Sequence, residues 1–181
     1  TPYITVQSFP QLGLLTSLRF LEWVSENPNG VISLPTGKTP EHFISWTKYF
    51  LENWSTKKAE SIRKKFNFLT NSKPKLSGLH FVQIDEFYPI DANQHNSFFY
   101  YVNKYYINGF NLDKNKALLI NSEEIPLAEG KHFNEIFPGG FVDLSLRYSD
   151  CKTDKEKLQQ ESIFKIDDWC TEYENKIRAL G

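Results

Sequence analysis

The chain has 181 residues, enough for one domain with a substantial buried core. Its formal net charge of −1 gives no basis for binding nucleic acid or an anionic membrane surface, and no apolar run approaches the length of a membrane span. We therefore expect a cytoplasmic protein. The aromatic content of 15% predicts a core or a subunit interface with much aromatic packing, and we expect a homo-oligomer.

The N-terminal part of the sequence predicts a helix, a strand and a second helix in succession. Residues 12–25 place leucine and valine at helical spacing, and residues 31–34 are typical of a short buried strand. A glycine-containing turn follows the strand. In the next helix Thr39 is a candidate N-cap and Pro40 a favoured first residue. Its aromatic stripe consists of Phe43, Trp46, Phe50 and Trp54.

A second strand follows after a polar stretch. Residues 55–78 are polar and basic, which predicts a helix end and a solvated loop. They lack the interleaved aromatic side chains that stack on bases, so nucleic-acid binding is disfavoured. Residues 79–84 are apolar and predict the second strand, and Asp85 and Glu86 come where that strand ends.

The C-terminal part alternates helix and strand again. A third helix carries Phe99, Val102 and Tyr106 on one stripe, and residues 117–120 are a candidate third strand. Residues 121–160 show no clear period. The last helix has the clearest apolar face, formed by Ile166, Trp169, Tyr173, Ile177 and Leu180.

This alternation of strands and helices predicts βαβ units. We therefore expect residues 1–181 to form a single α/β domain, with a mainly parallel Rossmann-like sheet flanked by helices.

The turn after the first strand is a candidate anion site formed by Thr36, Gly37, Lys38 and Thr39. Free backbone N–H groups at a helix N-terminus attract anions, and glycine lets the backbone approach a phosphate closely. A helix start without a ligand would have the same local sequence, so both interpretations stay open. A nucleotide-binding P-loop is disfavoured, because its first glycine would fall at Ile32.

Asp85 and Glu86 are candidate catalytic residues, because ligands of open α/β sheets bind beyond the carboxyl ends of the strands. Only one of two adjacent side chains can point at a given ligand, and we favour Asp85 as the general base. The alternative is an acid that binds nearby backbone amides. His95, in a loop near the expected site, either contacts the substrate or begins a helix, and no histidines occur at metal-ligand spacing.

Four segments resemble the glucosamine-6-phosphate deaminase (isomerase) family. Residues 34–40 (Leu-Pro-Thr-Gly-Lys-Thr-Pro) resemble its Leu-Pro-Thr-Gly-Gly-Thr-Pro loop, and residues 83–89 (Gln-Ile-Asp-Glu-Phe-Tyr-Pro) resemble its strand followed by Asp-Glu-Tyr. Residues 95–99 are similar to a segment that begins with histidine and opens the next helix. Residues 170–177 are similar to the Tyr-Glu-x-Lys-Ile helix.

The resemblance implies conversion of glucosamine 6-phosphate to fructose 6-phosphate and ammonia through an enolamine, without a cofactor or a metal. Asp85 would then move the proton between C1 and C2 of the substrate. Thr36, Gly37, Lys38 and Thr39 would contribute to phosphate binding.

Three departures from the family accompany this resemblance. Lys38 replaces the second glycine and either adds a charge to the phosphate site or blocks close backbone approach, and residues 121–168 are longer than the usual connection. The family's Asp-Gly-His motif, with the ring-opening histidine, is not in the sequence. We therefore expect the N-terminal part of a larger catalytic domain, inactive alone.

Two other kinds of function remain open. One is a 6-phosphogluconolactonase or another sugar-phosphate isomerase, such as a ribose-phosphate isomerase. The other is a non-catalytic module that binds a sugar phosphate.

Overall fold

The computed structural model describes residues 3–68, residue 70 and residues 72–181. These residues form two compact units. The first consists of the described residues up to Asp85 together with Phe98–Leu119, and the second consists of Glu86–Ser97 and Ile120–Gly181. The single domain expected over residues 1–181 stays a prediction.

The first unit contains a parallel three-stranded sheet. Its strands are β1 (Val31–Ile32), β2 (His80–Val82) and β3 (Ala117–Leu118), hydrogen-bonded in the order β1-β2-β3. This confirms the α/β class and the parallel sheet, whereas the Rossmann-like arrangement of flanking helices stays a prediction. Each strand is shorter than predicted. After β1, the side chain of Ser33 rather than its backbone bonds to β2, donating to the Val82 carbonyl at 2.7 Å.

Four α-helices belong to the first unit: α1 (Phe9–Glu26), α2 (Glu41–Asn53), α3 (Lys57–Lys65) and α4 (Phe98–Val102). Helix α4 continues into a widened π turn over Asn103–Ile107. Helix α1 begins earlier than the predicted residue 12, because the Ser8 side chain caps it by accepting a hydrogen bond from the Gln11 N–H. Short 3-10 turns occur at Leu76–Gly78 and Lys114–Lys116.

Helix α3 corrects the expectation of a helix end and a solvated loop over residues 55–78. Thr56 caps a separate helix here, and Arg63 in that helix is buried. Its guanidinium lies 3.9 Å from the Trp54 ring centroid and donates a hydrogen bond of 2.7 Å to the Trp54 carbonyl. The aromatic face and the carbonyl together compensate the buried charge. Leu69 and Asn71, in the remainder of that stretch, lie outside the described residues.

Helices α1 and α2 approach each other closely near the start of α2. Gly13 of α1 lies so close to α2 that a Cβ atom there would be 2.6 Å from the His42 carbonyl carbon and 2.8 Å from the Phe43 nitrogen. One turn further along, the fully buried Thr47 hydroxyl donates to the Ser17 hydroxyl at 2.9 Å. Small side chains on α1 therefore allow the two backbones to approach. Most of the buried core around this contact is aliphatic and aromatic, including Leu18, Leu21, Phe43, Phe50, Phe81 and Tyr106.

The second unit contains α5 (Phe133–Ile136) and α6 (Asp154–Arg178). Its small core comprises Leu127, Ala128, Ile136, Phe137, Leu146 and Ile163. The predicted last helix is confirmed, and it begins at Asp154 because Thr153 and Glu156 form a capping box. The undeciphered stretch before it contains 3-10 turns at Ser122–Glu124, Ala128–Gly130, Pro138–Gly140 and Leu144–Tyr148.

Within residues 3–68, residue 70 and residues 72–181, no helix is long and apolar enough to cross a membrane.

The Gly13→Ala variant tests the close α1–α2 contact. Its new methyl group overlaps backbone atoms of α2, so we expect overpacking to outweigh the roughly 1 kcal/mol gain in helix propensity. The expected net loss is about 1–2 kcal/mol in the free energy of unfolding, measured by urea denaturation. Thr16→Ala, at an exposed position of the same helix, is the control, and its higher helix propensity should raise stability by less than about 1 kcal/mol. Wild-type or higher stability of Gly13→Ala would contradict the contact.

Candidate functional site

The two candidate site segments follow neighbouring parallel strands. Residues 33–40, here called the β1–α2 loop, leave β1, and Asp85 follows β2 after two residues. Because β1 and β2 pair in parallel, both segments leave the sheet at the same edge. The Ser33–Val82 hydrogen bond joins the two strands at that edge. The structure therefore brings the predicted loop and the predicted acid to the edge where ligands of such sheets bind.

Glycine is required in the β1–α2 loop by its backbone geometry. Gly37 has a φ of +90°, in the left-handed region that side chains disfavour. No heavy atom of the described residues lies within 4 Å of the place where a Cβ atom would stand, other than the immediate chain neighbours. The conformation of the backbone, rather than crowding, therefore explains glycine at this position.

Helix α2 begins one residue later than predicted. Pro40, rather than Thr39, occupies the N-cap, without a side-chain hydrogen bond to the helix, so the assignment of Thr39 as cap and Pro40 as first helical residue is wrong. The reason is a tight turn in which the Glu41 N–H donates to the Lys38 carbonyl at 3.2 Å. The Pro40 carbonyl then accepts the first helical bond, from Ile44. This arrangement leaves the Thr39 hydroxyl available to a ligand.

The polar groups of residues 36–39 are available for binding. Among the residues that the structure describes, no acceptor is found for the four backbone N–H groups or the two threonine hydroxyls, and the Lys38 ammonium has no ion-pair partner. Lys38 and Thr39 are exposed, and Thr36 is half-buried. A row of such donors beside a helix N-terminus suits an anion.

Two tyrosines that the sequence did not single out for the site hold this loop. The Tyr101 hydroxyl donates to the Gly37 carbonyl at 2.7 Å, and the Tyr106 hydroxyl donates to the Pro35 carbonyl. Burial raises the pKa of Tyr101 to about 12, with smaller contributions from Tyr105 and Glu41, and burial also raises the pKa of Tyr106. Both phenols therefore stay protonated donors at neutral pH.

Asp85 and Glu86 differ in their surroundings. Asp85 is exposed, and its carboxylate has no hydrogen-bond partner within the described part of the chain. The buried Gln83 side chain instead donates to the Asp85 main-chain carbonyl at 2.9 Å, which fixes the backbone there. The Glu86 carboxylate accepts from the Phe87 N–H at 2.9 Å and from the fully buried Ser97 hydroxyl at 2.8 Å. Of the two acids, Asp85 is the one with a carboxylate open to a ligand.

His95 lies in the second unit, in an exposed turn before α4. It does not begin that helix, which starts at Phe98. Its contact with a substrate stays a prediction. Within the described ranges, no group of three histidine, cysteine or acidic side chains is arranged to hold a metal ion.

Comparison with solved structures relates the chain to a known α/β protein. One similar structure is a monomeric glucosamine-6-phosphate deaminase, described as a missing link of the NagB superfamily, with 17% sequence identity and a TM-score of 0.50. The match covers 66% of this chain and 42% of that chain, so this chain spans less than half of the neighbour's length. At this identity the likeness shows a shared fold. No protein-family model matches the sequence, and no curated protein matches it.

The raised pKa of Tyr101 gives a pH test of its hydrogen bond to the loop. The pKa of Tyr101 is higher in the folded protein than in the unfolded protein, so its protonated form stabilises the fold. This contribution to the free energy of unfolding is fully present below pH 10 and is lost as the pH rises through about 12. We expect the thermal midpoint of the wild type to fall over this range, and that of Tyr101→Phe to fall less steeply. Tyr49→Phe, on α2, is the matched control and should keep the wild-type slope. An unchanged slope in Tyr101→Phe would count against the buried, bonded phenol.

Proposed function

We propose that this chain carries the phosphate-binding and proton-transfer part of an amino-sugar-phosphate deaminase/isomerase, which converts glucosamine 6-phosphate to fructose 6-phosphate and ammonia. The observation that carries the proposal is the emergence of the β1–α2 loop and Asp85 from adjacent parallel strands at one edge of the sheet. The shared fold with a glucosamine-6-phosphate deaminase supports it.

The β1–α2 loop binds the phosphate group of the substrate in this proposal. Backbone N–H groups of residues 36–39 and the hydroxyls of Thr36 and Thr39 donate to the phosphate oxygens, and the start of α2 adds a favourable potential. Lys38 adds a positive charge. Its exposed side chain and the open space around Gly37 favour this role over obstruction of the loop.

Asp85 moves a proton on the opened sugar in this proposal. Its carboxylate takes the proton from C2 while the C1 carbonyl oxygen takes a proton from water, which leaves an enolamine between C1 and C2. The carboxyl group then returns its proton to C1. The resulting iminium at C2 is attacked by water, and loss of ammonia leaves the ketone of fructose 6-phosphate. Glu86, with both carboxylate oxygens hydrogen-bonded, joins Phe87 and Ser97 and takes no part in the chemistry. Each step uses protein side chains and water alone.

Other proteins that act on or bind sugar phosphates use similar groups. A 6-phosphogluconolactonase or another sugar-phosphate isomerase also needs a phosphate site and a nearby acid, and a binding module needs only the first. A panel of glucosamine 6-phosphate, 6-phosphogluconolactone and ribose 5-phosphate, tested on the full-length protein, separates the three. Ammonia release from the first compound supports the proposal. Turnover of another compound, or tight binding without turnover, contradicts it.

The Asp85→Asn variant tests the proton transfer. The amide has nearly the same shape but cannot accept the proton, so we expect exchange of the C2 hydrogen with solvent deuterium to fall by at least about 100-fold. Exchange is followed by proton NMR on the full-length protein, and binding of glucosamine 6-phosphate should persist. Asp91→Asn, an exposed acid further along the chain, is the matched control. Wild-type exchange in Asp85→Asn would remove Asp85 from this role.

The Lys38→Gln variant tests the added charge. Loss of one solvent-exposed positive charge near a phosphate should weaken binding of glucosamine 6-phosphate by about fivefold, equivalent to about 1 kcal/mol. The measurement is isothermal titration calorimetry at low and high salt, and the difference from wild type should shrink at high salt. Lys65→Gln, an exposed lysine at the end of α3, should bind like the wild type. If Lys38→Gln binds more tightly than wild type, the side chain obstructs the loop instead.

A further inference from the structure

The hydrogen bonds from Tyr101 and Tyr106 determine more than the position of the β1–α2 loop. Each hydroxyl binds a main-chain carbonyl of the loop, that of Gly37 or that of Pro35. The peptides that follow these carbonyls are trans, since among the described residues the cis peptide is Tyr88-Pro89. In a planar trans peptide, the N–H points away from the C=O of the same unit.

This geometry directs two of the loop's donors. The Lys38 N–H shares a peptide unit with the Gly37 carbonyl, so it points away from Tyr101. The Thr36 N–H shares a unit with the Pro35 carbonyl, so it points away from Tyr106. The two N–H groups therefore face away from the helix that carries the tyrosines, and both lack an acceptor among the described residues.

The π turn explains how both tyrosines reach one loop. Residues five apart on an α-helix are separated by about 140° around its axis. Tyr106 lies in the widened turn Asn103–Ile107, in which the Asn108 N–H bonds to the Asn103 carbonyl, five residues back. A turn of this width brings residues five apart towards the same side. Accordingly, the Tyr101 and Tyr106 rings lie 6.0 Å apart between centroids.

We infer that Tyr101 and Tyr106 are positioning residues for anion binding: their hydroxyls hold two loop carbonyls so that the Lys38 and Thr36 N–H groups face the phosphate. This inference rests on the proposed function of the loop. Tyr106 is fully buried against Phe81 and Phe110, so its hydroxyl is fixed by the core, whereas Tyr101 is half-buried. The core of the first unit thereby determines which way the loop's donors point.

Tyrosine-to-phenylalanine variants test the inference with inorganic phosphate as the probe. Amide ¹H–¹⁵N NMR spectra of wild type, Tyr101→Phe and Tyr106→Phe are recorded during titration, well below the unfolding temperature. Loss of one hydroxyl should weaken phosphate binding by about fivefold. The loss should also be specific: the phosphate-induced shift of the Lys38 amide should fall in Tyr101→Phe, and that of the Thr36 amide in Tyr106→Phe. Tyr49→Phe removes the same atom from α2 and should bind phosphate like the wild type.

The outcomes separate this inference from the proposed function. A merely structural role would lower the thermal midpoint but leave the affinity and the two amide shifts of the folded protein unchanged, which would overturn the inference. If the wild type binds no phosphate, the proposed function fails and the inference fails with it. If the wild type binds phosphate and both variants keep its affinity and its amide shifts, the inference alone fails. Because Tyr101 is only half-buried, Tyr101→Phe tests the inference even if Tyr106→Phe does not fold.

Discussion

Parallel pairing of β1 with β2 is the constraint on which the candidate site depends. In the register of these two short strands, Ile32 of β1 lies opposite Phe81 of β2. At the carboxyl end of the pair, the Ser33 hydroxyl donates a hydrogen bond to the Val82 carbonyl. Because the strands are parallel, the segments that leave them emerge at one edge. An antiparallel pairing of the same strands would send the β1–α2 loop and Asp85 to opposite edges.

Helices of the first unit hold the segments that follow β1 and β2. Gly13 of α1 lets the first turn of α2 approach closely, which fixes the helix N-terminus next to the β1–α2 loop. Tyr101 and Tyr106 hold the loop from α4 and its π turn, while buried Gln83 holds the main chain at Asp85. The N–H groups and hydroxyls of residues 36–39 that remain open after these packing requirements suit a preorganised anion site, and the Asp85 carboxylate is likewise without a partner among the described residues.

The sequence predicted the parts of this arrangement that depend on local patterns. Short β-branched and apolar runs predicted the strands, and Gly37 predicted a turn after the first strand, whereas its positive φ was seen only in the structure. The two tyrosine bonds could not be foreseen, because a helical period of 3.6 does not put residues 101 and 106 on one side. The burial of Arg63 was not predicted, because it requires a tertiary contact with the ring of Trp54. The structure of residues 121–153 was not predicted, because short 3-10 turns give the sequence no regular hydrophobic period. The exact start of α2 depended on a turn bond to Lys38, which no cap preference encodes.

A crystal structure of the full-length protein with glucosamine 6-phosphate tests the central claim most directly. We expect the phosphate oxygens within hydrogen-bonding distance of the Thr36 and Lys38 N–H groups, about 2.7–3.2 Å from each nitrogen, and C2 of the sugar next to the Asp85 carboxylate. A phosphate bound elsewhere on the protein, with the β1–α2 loop unoccupied, would contradict the account.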